Sequence, residues 1–273
     1  MIYIAIPAHN EAATAGALLW KIRQVMGELA RDYEILFLDD GSTDGTGEAL
    51  KRYARALPLT VLRHETRRGY AASVEVLLRR AVSTSSYPKR DVAVVVQADF
   101  SEDPAWIAPL VKRIEGGADV VVAAAHDGQG VPRGLDWARR FCQWARARLR
   151  LPAGVSDPLS GFRAYRIVTL KRALEGTDEG AAVRTEGRAS NVEWLSRVAS
   201  FARRVDEEPA LLRRDRLQRP PRFRTASLWR DLLRLWLAPP RRTEPDVVPA
   251  QPRPRTRDGA RRYRGRGRRR RTG

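Results

Sequence analysis

Four short apolar runs, each ending in a polar turn, do most to limit what this chain can become. They are "IYIAIP" (2–7), "YEILFLDD" (33–40), "DVAVVVQAD" (91–99) and "ADVVVAAA" (118–125). Helical periodicity fills the stretches at 12–31, 44–56, 70–83 and 104–116. Strands that are nearly continuous apolar runs, alternating with helices, predict a mostly parallel sheet covered on both faces. Ligands of such sheets bind beyond the carboxyl ends of the strands. Those ends carry "PAHNE", "DDGSTDGT" and "QADFSED", so the three loops are expected to line one crevice.

The chain has 273 residues and a 43% apolar fraction, enough for a real core and against wholesale disorder. Its net charge of +19 is uneven. Residues 241–273 hold 13 arginines and 3 acids, a net of +10. Cys142 is the single cysteine, which excludes an internal disulfide and suits a reducing compartment. "MIYIAIPAHN" has no basic segment and meets Pro7 too early for a signal peptide. No apolar run approaches the ~18 residues that cross a bilayer. The expectation is a cytoplasmic protein whose membrane contact is peripheral, at the cytoplasmic face.

The pattern changes after residue 130. "LDWARRFCQWARARLRL" (135–151) reads as a basic amphipathic helix with Trp137, Phe141 and Trp144 on one side. "LWRDLLRLWL" (228–237) is a second helix with two tryptophans and a leucine face. Residues 1–238 are expected to form one domain, and 239–273 a disordered Arg/Pro-rich basic tail.

"DDGSTDGT" sets carboxylates, hydroxyls and glycines between a strand and a helix. The glycines permit a tight turn and Asp44 can cap the helix that follows. Two adjacent acids exceed what capping needs, and Asp40 can accept hydrogen bonds from a nucleoside. Read alone, this junction leaves its function open.

Together, "IPAHNEA", "LDDGSTDGT", "RRGYAASV", "QADFSEDP" and "DPLSGFRAYR" resemble, in order and spacing, the family 2 glycosyltransferases. The resemblance is closest to the polyprenol-phosphate (dolichol-phosphate) mannosyltransferase group and covers residues 2 to about 237. It implies a GT-A, Rossmann-like nucleotide-sugar-binding fold. The implied reaction is an inverting transfer of a hexose, mannose by resemblance, from a nucleotide sugar such as GDP-mannose or a UDP-hexose to a polyprenyl phosphate. Competing readings are a degenerate domain that binds nucleotide or lipid without turnover, and a protein whose basic tail binds nucleic acid or an anionic membrane.

The resemblance assigns the nucleotide-sugar site to Pro7, His9, Glu11, Leu38, Asp40, Ala98 and Asp99, with Arg216 and Arg222 closing over the phosphates. It assigns Mg²⁺ or Mn²⁺ to Gln97, Asp99 and Ser101. Gln97 departs from the family pattern, which has aspartate there: a hard oxygen is kept and one charge is lost. The departing nucleoside diphosphate develops negative charge that a divalent ion stabilises. The arginines of "LLRRDRLQRPPRFR" can offset part of the missing charge. On the acceptor side the resemblance assigns Arg139 to the lipid phosphate and Arg163 to the acceptor signature, with Asp99, Arg139 and Arg163 as the catalytic set. Glu193 is the nearest match to the family's acidic residue after the acceptor loop. A polyprenyl phosphate is already ionised and needs positioning rather than a base. The two tryptophan-bearing helices then rest at the bilayer surface, where basic and aromatic side chains are favoured.

Overall fold

The computed structural model describes residues 1–125, 133–178, 182–210 and 225–239. Arg216, Arg222 and the tail after Pro239 lie outside these residues, and so do the expectations attached to them.

The predicted runs form β1 (Ile2–Ala8), β2 (Tyr33–Asp40), β4 (Val92–Val95) and β5 (Val120–Ala125). Three further strands, β3 (Leu59–His64), β6 (Arg163–Arg166) and β7 (Val205–Ala210), complete a seven-stranded sheet in the order β3-β2-β1-β4-β6-β5-β7. Its neighbours run parallel except at β6, which is antiparallel to both β4 and β5. β4 is shorter than the run 91–99. Val96 still donates to the Ala5 carbonyl at 3.0 Å, and the chain then leaves the sheet as a loop.

Alternation along the strands divides the core. Ile4, Ile6, Ile35, Phe37 and Val94 face α1 (Ala12–Leu29), α2 (Thr46–Tyr53) and α4 (Ile107–Glu115). Ala5, Leu36, Leu38, Val95 and Val122 face α3 (Tyr70–Thr84), α7 (Ile167–Leu174) and α8 (Gly187–Ala199). Each aliphatic side chain fully withdrawn from water contributes about 1.5–3 kcal/mol, so both faces hold their helices.

A third cluster joins α5 (Arg133–Trp144), α6 (Arg146–Leu149), α8 and α9 (Thr225–Leu237) through Leu135, Ala138, Cys142, Val192, Leu228, Leu232 and Leu235. The tryptophans of α5 and α9 divide between core and solvent. Trp229 and Trp236 pack against this cluster, whereas Trp137 and Trp144 are 62% and 72% exposed. Among the described residues no helix is long and apolar enough to cross a membrane.

Candidate active site

The loops after β1 and β2 are bonded into one wall. His9 Nδ1 lies 2.7 Å from the Asp40 carbonyl, and Asn10 N–H donates to Ser42 Oγ at 2.8 Å. Thr43 N–H returns to Asn10 Oδ1 at 2.8 Å. Asp44 accepts from the N–H groups of Ala12 and Thr46, each at 3.1 Å, so it satisfies amides at the starts of both α1 and α2. Burial pushes its carboxyl up, but the hydrogen bonds from Thr46 and Ala12 outweigh burial and hold it below the ordinary carboxylate range. Glu11 accepts from Thr14 Oγ1 at 2.9 Å.

Three residues that the resemblance assigns to the nucleotide are buried: Leu38, Pro7 and Asp40. Leu38 is fully buried in the core beneath α3, so its side chain offers a nucleotide nothing. Pro7, its partner in register, is buried as well. Asp40 is 3% exposed, and protein donors already engage it. Oδ1 accepts from Arg68 N–H and lies against His64 Nδ1, both at 2.7 Å, while Oδ2 accepts from Gly69 N–H at 2.8 Å. Through these bonds Asp40 holds the 64–69 loop. Gly69 has φ +100°, and a methyl group there would come within 2.8 Å of Glu186 Oε1, which itself accepts from Ala71 N–H at 3.0 Å.

The loop after β4 carries the departure from the family pattern. Asp99 Oδ1 accepts from Ser101 N–H (3.0 Å) and Oγ (2.6 Å), so Ser101 orients the carboxylate. Phe100 adopts φ +60°, a strained backbone for an aromatic residue and a common feature of functional loops. Ala98 is buried. Asp99 Oδ2 and the Gln97 side chain engage no partner among the described residues.

These open oxygens fit a divalent cation that takes most of its shell from phosphates and water, as Mg²⁺ does and as Mn²⁺ can. No group of three or more His, Cys, Asp or Glu side chains able to hold a metal occurs among the described residues. Glu102, in the same loop, was read from the sequence only as part of a polar turn. It is 4% exposed and accepts from Gln97 N–H at 3.0 Å. Burial pushes its carboxyl up to about 8, against the pull of that hydrogen bond, and the Asp99 charge adds to the rise.

This loop meets the acceptor signature at Gly161. A methyl group on Gly161 would sit 2.5 Å from Tyr70 Oη, 3.2 Å from Asn191 Nδ2 and 3.3 Å from Gln97 Nε2. Tyr70 Oη donates to Asn191 Oδ1 at 3.1 Å, and Asn191 Nδ2 donates to the Leu159 carbonyl at 3.1 Å. Tyr70 and Asn191 thus stitch α3 and α8 to the 157–162 loop. Tyr70 lies in the quoted "RRGYAASV", and the sequence alone gives neither residue a role.

Arg163, which the resemblance assigns to the acceptor signature, faces the protein interior. It is 1% exposed, with Nη1 donating to the Asn191 carbonyl (2.6 Å) and Nη2 to the Pro158 carbonyl (2.7 Å). It braces the acceptor loop from inside. Arg139 pairs with Asp157, and both are buried. The Nε–H groups of Arg139 and Arg163 are buried without a hydrogen-bond partner, an unusual state for cationic donors. Glu193 accepts from Arg184 N–H (2.8 Å), Thr185 N–H (3.1 Å) and Thr185 Oγ1 (3.0 Å), so it clamps that segment.

Residues 3–174 match the model of the family described as glycosyl transferase family 2. A dolichol-phosphate mannosyltransferase of Pyrococcus furiosus is 28% identical over 182 residues, which are 65% of this chain and 48% of that protein. An undecaprenyl-phosphate mannosyltransferase of Micrococcus luteus is 29% identical over 212 residues, 75% of this chain and 80% of that protein. The chain therefore spans about half the length of the first relative and four-fifths of the second. Among solved structures, the glucosyl-3-phosphoglycerate synthase of Mycobacterium tuberculosis, in complex with Mn²⁺, UDP and glucosyl-3-phosphoglycerate, aligns with a TM-score of 0.57 at 21% identity. The alignment covers 86% of this chain and 79% of that one. At that identity the likeness speaks for the fold, and the mostly parallel sheet with helices on both faces is the GT-A fold that the sequence predicts.

Proposed function

This chain belongs to glycosyl transferase family 2, and from that premise we propose that it transfers a hexose, mannose by resemblance, from a nucleoside diphosphate sugar to a polyprenyl phosphate. The observation that carries the reading is the meeting, at Gly161, of the Gln97–Ala98–Asp99 loop with the loop of the acceptor signature. In a single in-line displacement an acceptor phosphate oxygen bonds to the anomeric carbon as its bond to the nucleoside diphosphate breaks on the opposite face. This inverts the sugar and needs donor and acceptor loops side by side.

The open Asp99 oxygen, the Gln97 amide and Ser101 are the groups that would hold Mg²⁺ or Mn²⁺. When bound, that ion offsets the charge developing on the departing diphosphate. Asp99 is kept in position by its two bonds from Ser101. The Arg139 Nε–H, buried beside the 157–163 loop with no partner among the described residues, suits an anionic acceptor, since a phosphate oxygen satisfies a buried cationic donor. Glu193 is engaged with backbone amides, which agrees with an acceptor that needs no general base. The α5–α9 face, with Trp137 and Trp144 exposed and Arg140 lying 5.6 Å over the Trp137 ring, suits an anionic membrane surface where a lipid acceptor resides.

The test is direct. Purified protein is offered GDP-mannose, UDP-glucose or UDP-GlcNAc with a short polyprenyl phosphate and Mn²⁺, and lipid products are read by mass spectrometry. The expected product is a mannosyl phospholipid from GDP-mannose. No glycosylated lipid from any donor overturns the reading in favour of a binding domain without turnover.

A further inference from the structure

We propose that Glu102 supplies the second carboxylate of the divalent-cation site, in place of the acid that residue 97 lacks. The inference rests on the transfer reading for the presence of a cation and extends it to a ligand that the family motif does not contain.

Glu102 is 4% exposed, and an unpaired acid is costly to bury to that degree. Its Oε2 accepts the N–H of Gln97 at 3.0 Å. That bond folds the loop back on itself and brings the carboxylate of residue 102 to the first residue of the Gln97–Ala98–Asp99 step. Its Oε1 has no protein partner among the described residues. Holding a loop amide takes one oxygen. The second oxygen, unengaged among the described residues, is one that a cation can take.

The other acid of the loop is engaged differently. Asp103 Oδ1 accepts from Ala105 N–H at 3.0 Å and starts the 3₁₀ turn Pro104–Trp106. The Gln97 side chain lies beside neutral groups, Tyr70 Oη and the Asn191 amide, around Gly161. An amide suits those neighbours, and there a second carboxylate would face a phenol and an amide rather than a cationic partner. Gln97 and Asp99 together carry one negative charge. A cation there would meet Glu102 in its ionised form, and the loop would then carry the two that the family motif has. Ligand charge count is a main determinant of divalent-ion affinity at oxygen sites.

The test is a Mn²⁺ titration of the full chain, followed by the EPR signal of free Mn²⁺, in the presence of GDP and separately of UDP. Glu102→Gln keeps the shape and an acceptor for Gln97 N–H but removes the charge, and the thermal melt without metal checks that the fold is kept. The expected result is Mn²⁺ binding weakened by about 10-fold to 100-fold. Moving the charge back, with Gln97→Asp added to Glu102→Gln, restores most of the lost affinity. If Glu102 only holds the loop, Glu102→Gln binds Mn²⁺ as the wild type does, and the proposal fails. A double variant as weak as the single one also overturns it. Wild-type protein that binds no Mn²⁺ with either nucleotide removes the cation itself, and with it the transfer reading as stated above.

Discussion

Asp40→Asn separates a carboxylate that holds the protein from one that waits for a ligand. Asp40 has three protein partners: Arg68 N–H and His64 Nδ1 on Oδ1, and Gly69 N–H on Oδ2. Asparagine has one oxygen. Set toward Arg68 and His64, it turns its NH₂ group at Gly69 N–H, donor against donor. A buried donor left unsatisfied costs about 1–3 kcal/mol, and each remaining bond loses roughly 1 kcal/mol as the acceptor becomes neutral. The expected loss is therefore on the order of 3 kcal/mol. For a chain of this size that lowers the melting temperature by about 6–12 °C. Differential scanning calorimetry reads the stability, and isothermal titration with GDP and UDP reads nucleotide binding. Both should fall together, because the loop that Asp40 holds adjoins the His9 wall. Unchanged melting with a selective loss of nucleotide affinity would refute the reasoning and return Asp40 to direct contact with the nucleoside.

Gly161→Ala should destabilise by about 1–3 kcal/mol, since its methyl group would meet Tyr70 Oη at 2.5 Å. Adding Tyr70→Phe removes that oxygen and should return part of the loss in urea unfolding; no recovery would mean that the clash lies with Asn191 or Gln97 instead. Replacing Trp137 and Trp144 together by alanine should leave stability within about 0.5 kcal/mol, as both are mostly exposed. The same pair should weaken binding to anionic vesicles about tenfold or more, because each indole can withdraw on the order of 100 Å² of apolar surface into lipid. Equal sedimentation of both proteins with phosphatidylglycerol vesicles would leave that face without a membrane role.

What the sequence made legible follows from how each element is covered. β1, β2, β4 and β5 are apolar runs lying inside the sheet, and the polar loops after β1, β2 and β4 stand out at their ends. β3 and β7 are the edges of the sheet, so "LTVLRH" and "VDEEPA" never needed a continuous apolar pattern. β6 is central and yet reads "RAYR". Its arginines are admitted only because distant carbonyls receive them: Pro158 and Asn191 for Arg163, Lys89 and Ala118 for Arg166, with Asp119 pairing the latter. Residues so far apart in the chain leave no local signal. For the same reason Tyr70, Asn191 and Glu102 stayed hidden as members of the site, while the Gln97 departure was visible at once.

Arg139 and Arg140 show how far adjacency misleads. On α5 they point to different worlds. Arg140 is exposed, paired one turn back with Asp136 and lying over Trp137. Arg139 is buried against Asp157, a carboxylate whose Oδ1 also accepts Leu159 N–H at 3.2 Å in the acceptor loop. That pair neutralises the guanidinium, so under the proposed transfer reading an acceptor phosphate would have to share or displace Asp157. A phosphate brings more charge and more acceptor oxygens than a carboxylate, and the Arg139 Nε–H that Asp157 leaves unengaged is a donor it can use. Under the proposed transfer reading, an acceptor phosphate at Arg139 would disturb Asp157 and, through the Leu159 amide, the 157–162 loop. That loop lies close to the Gln97 side chain at Gly161, so the two sides of the proposed site are neighbours.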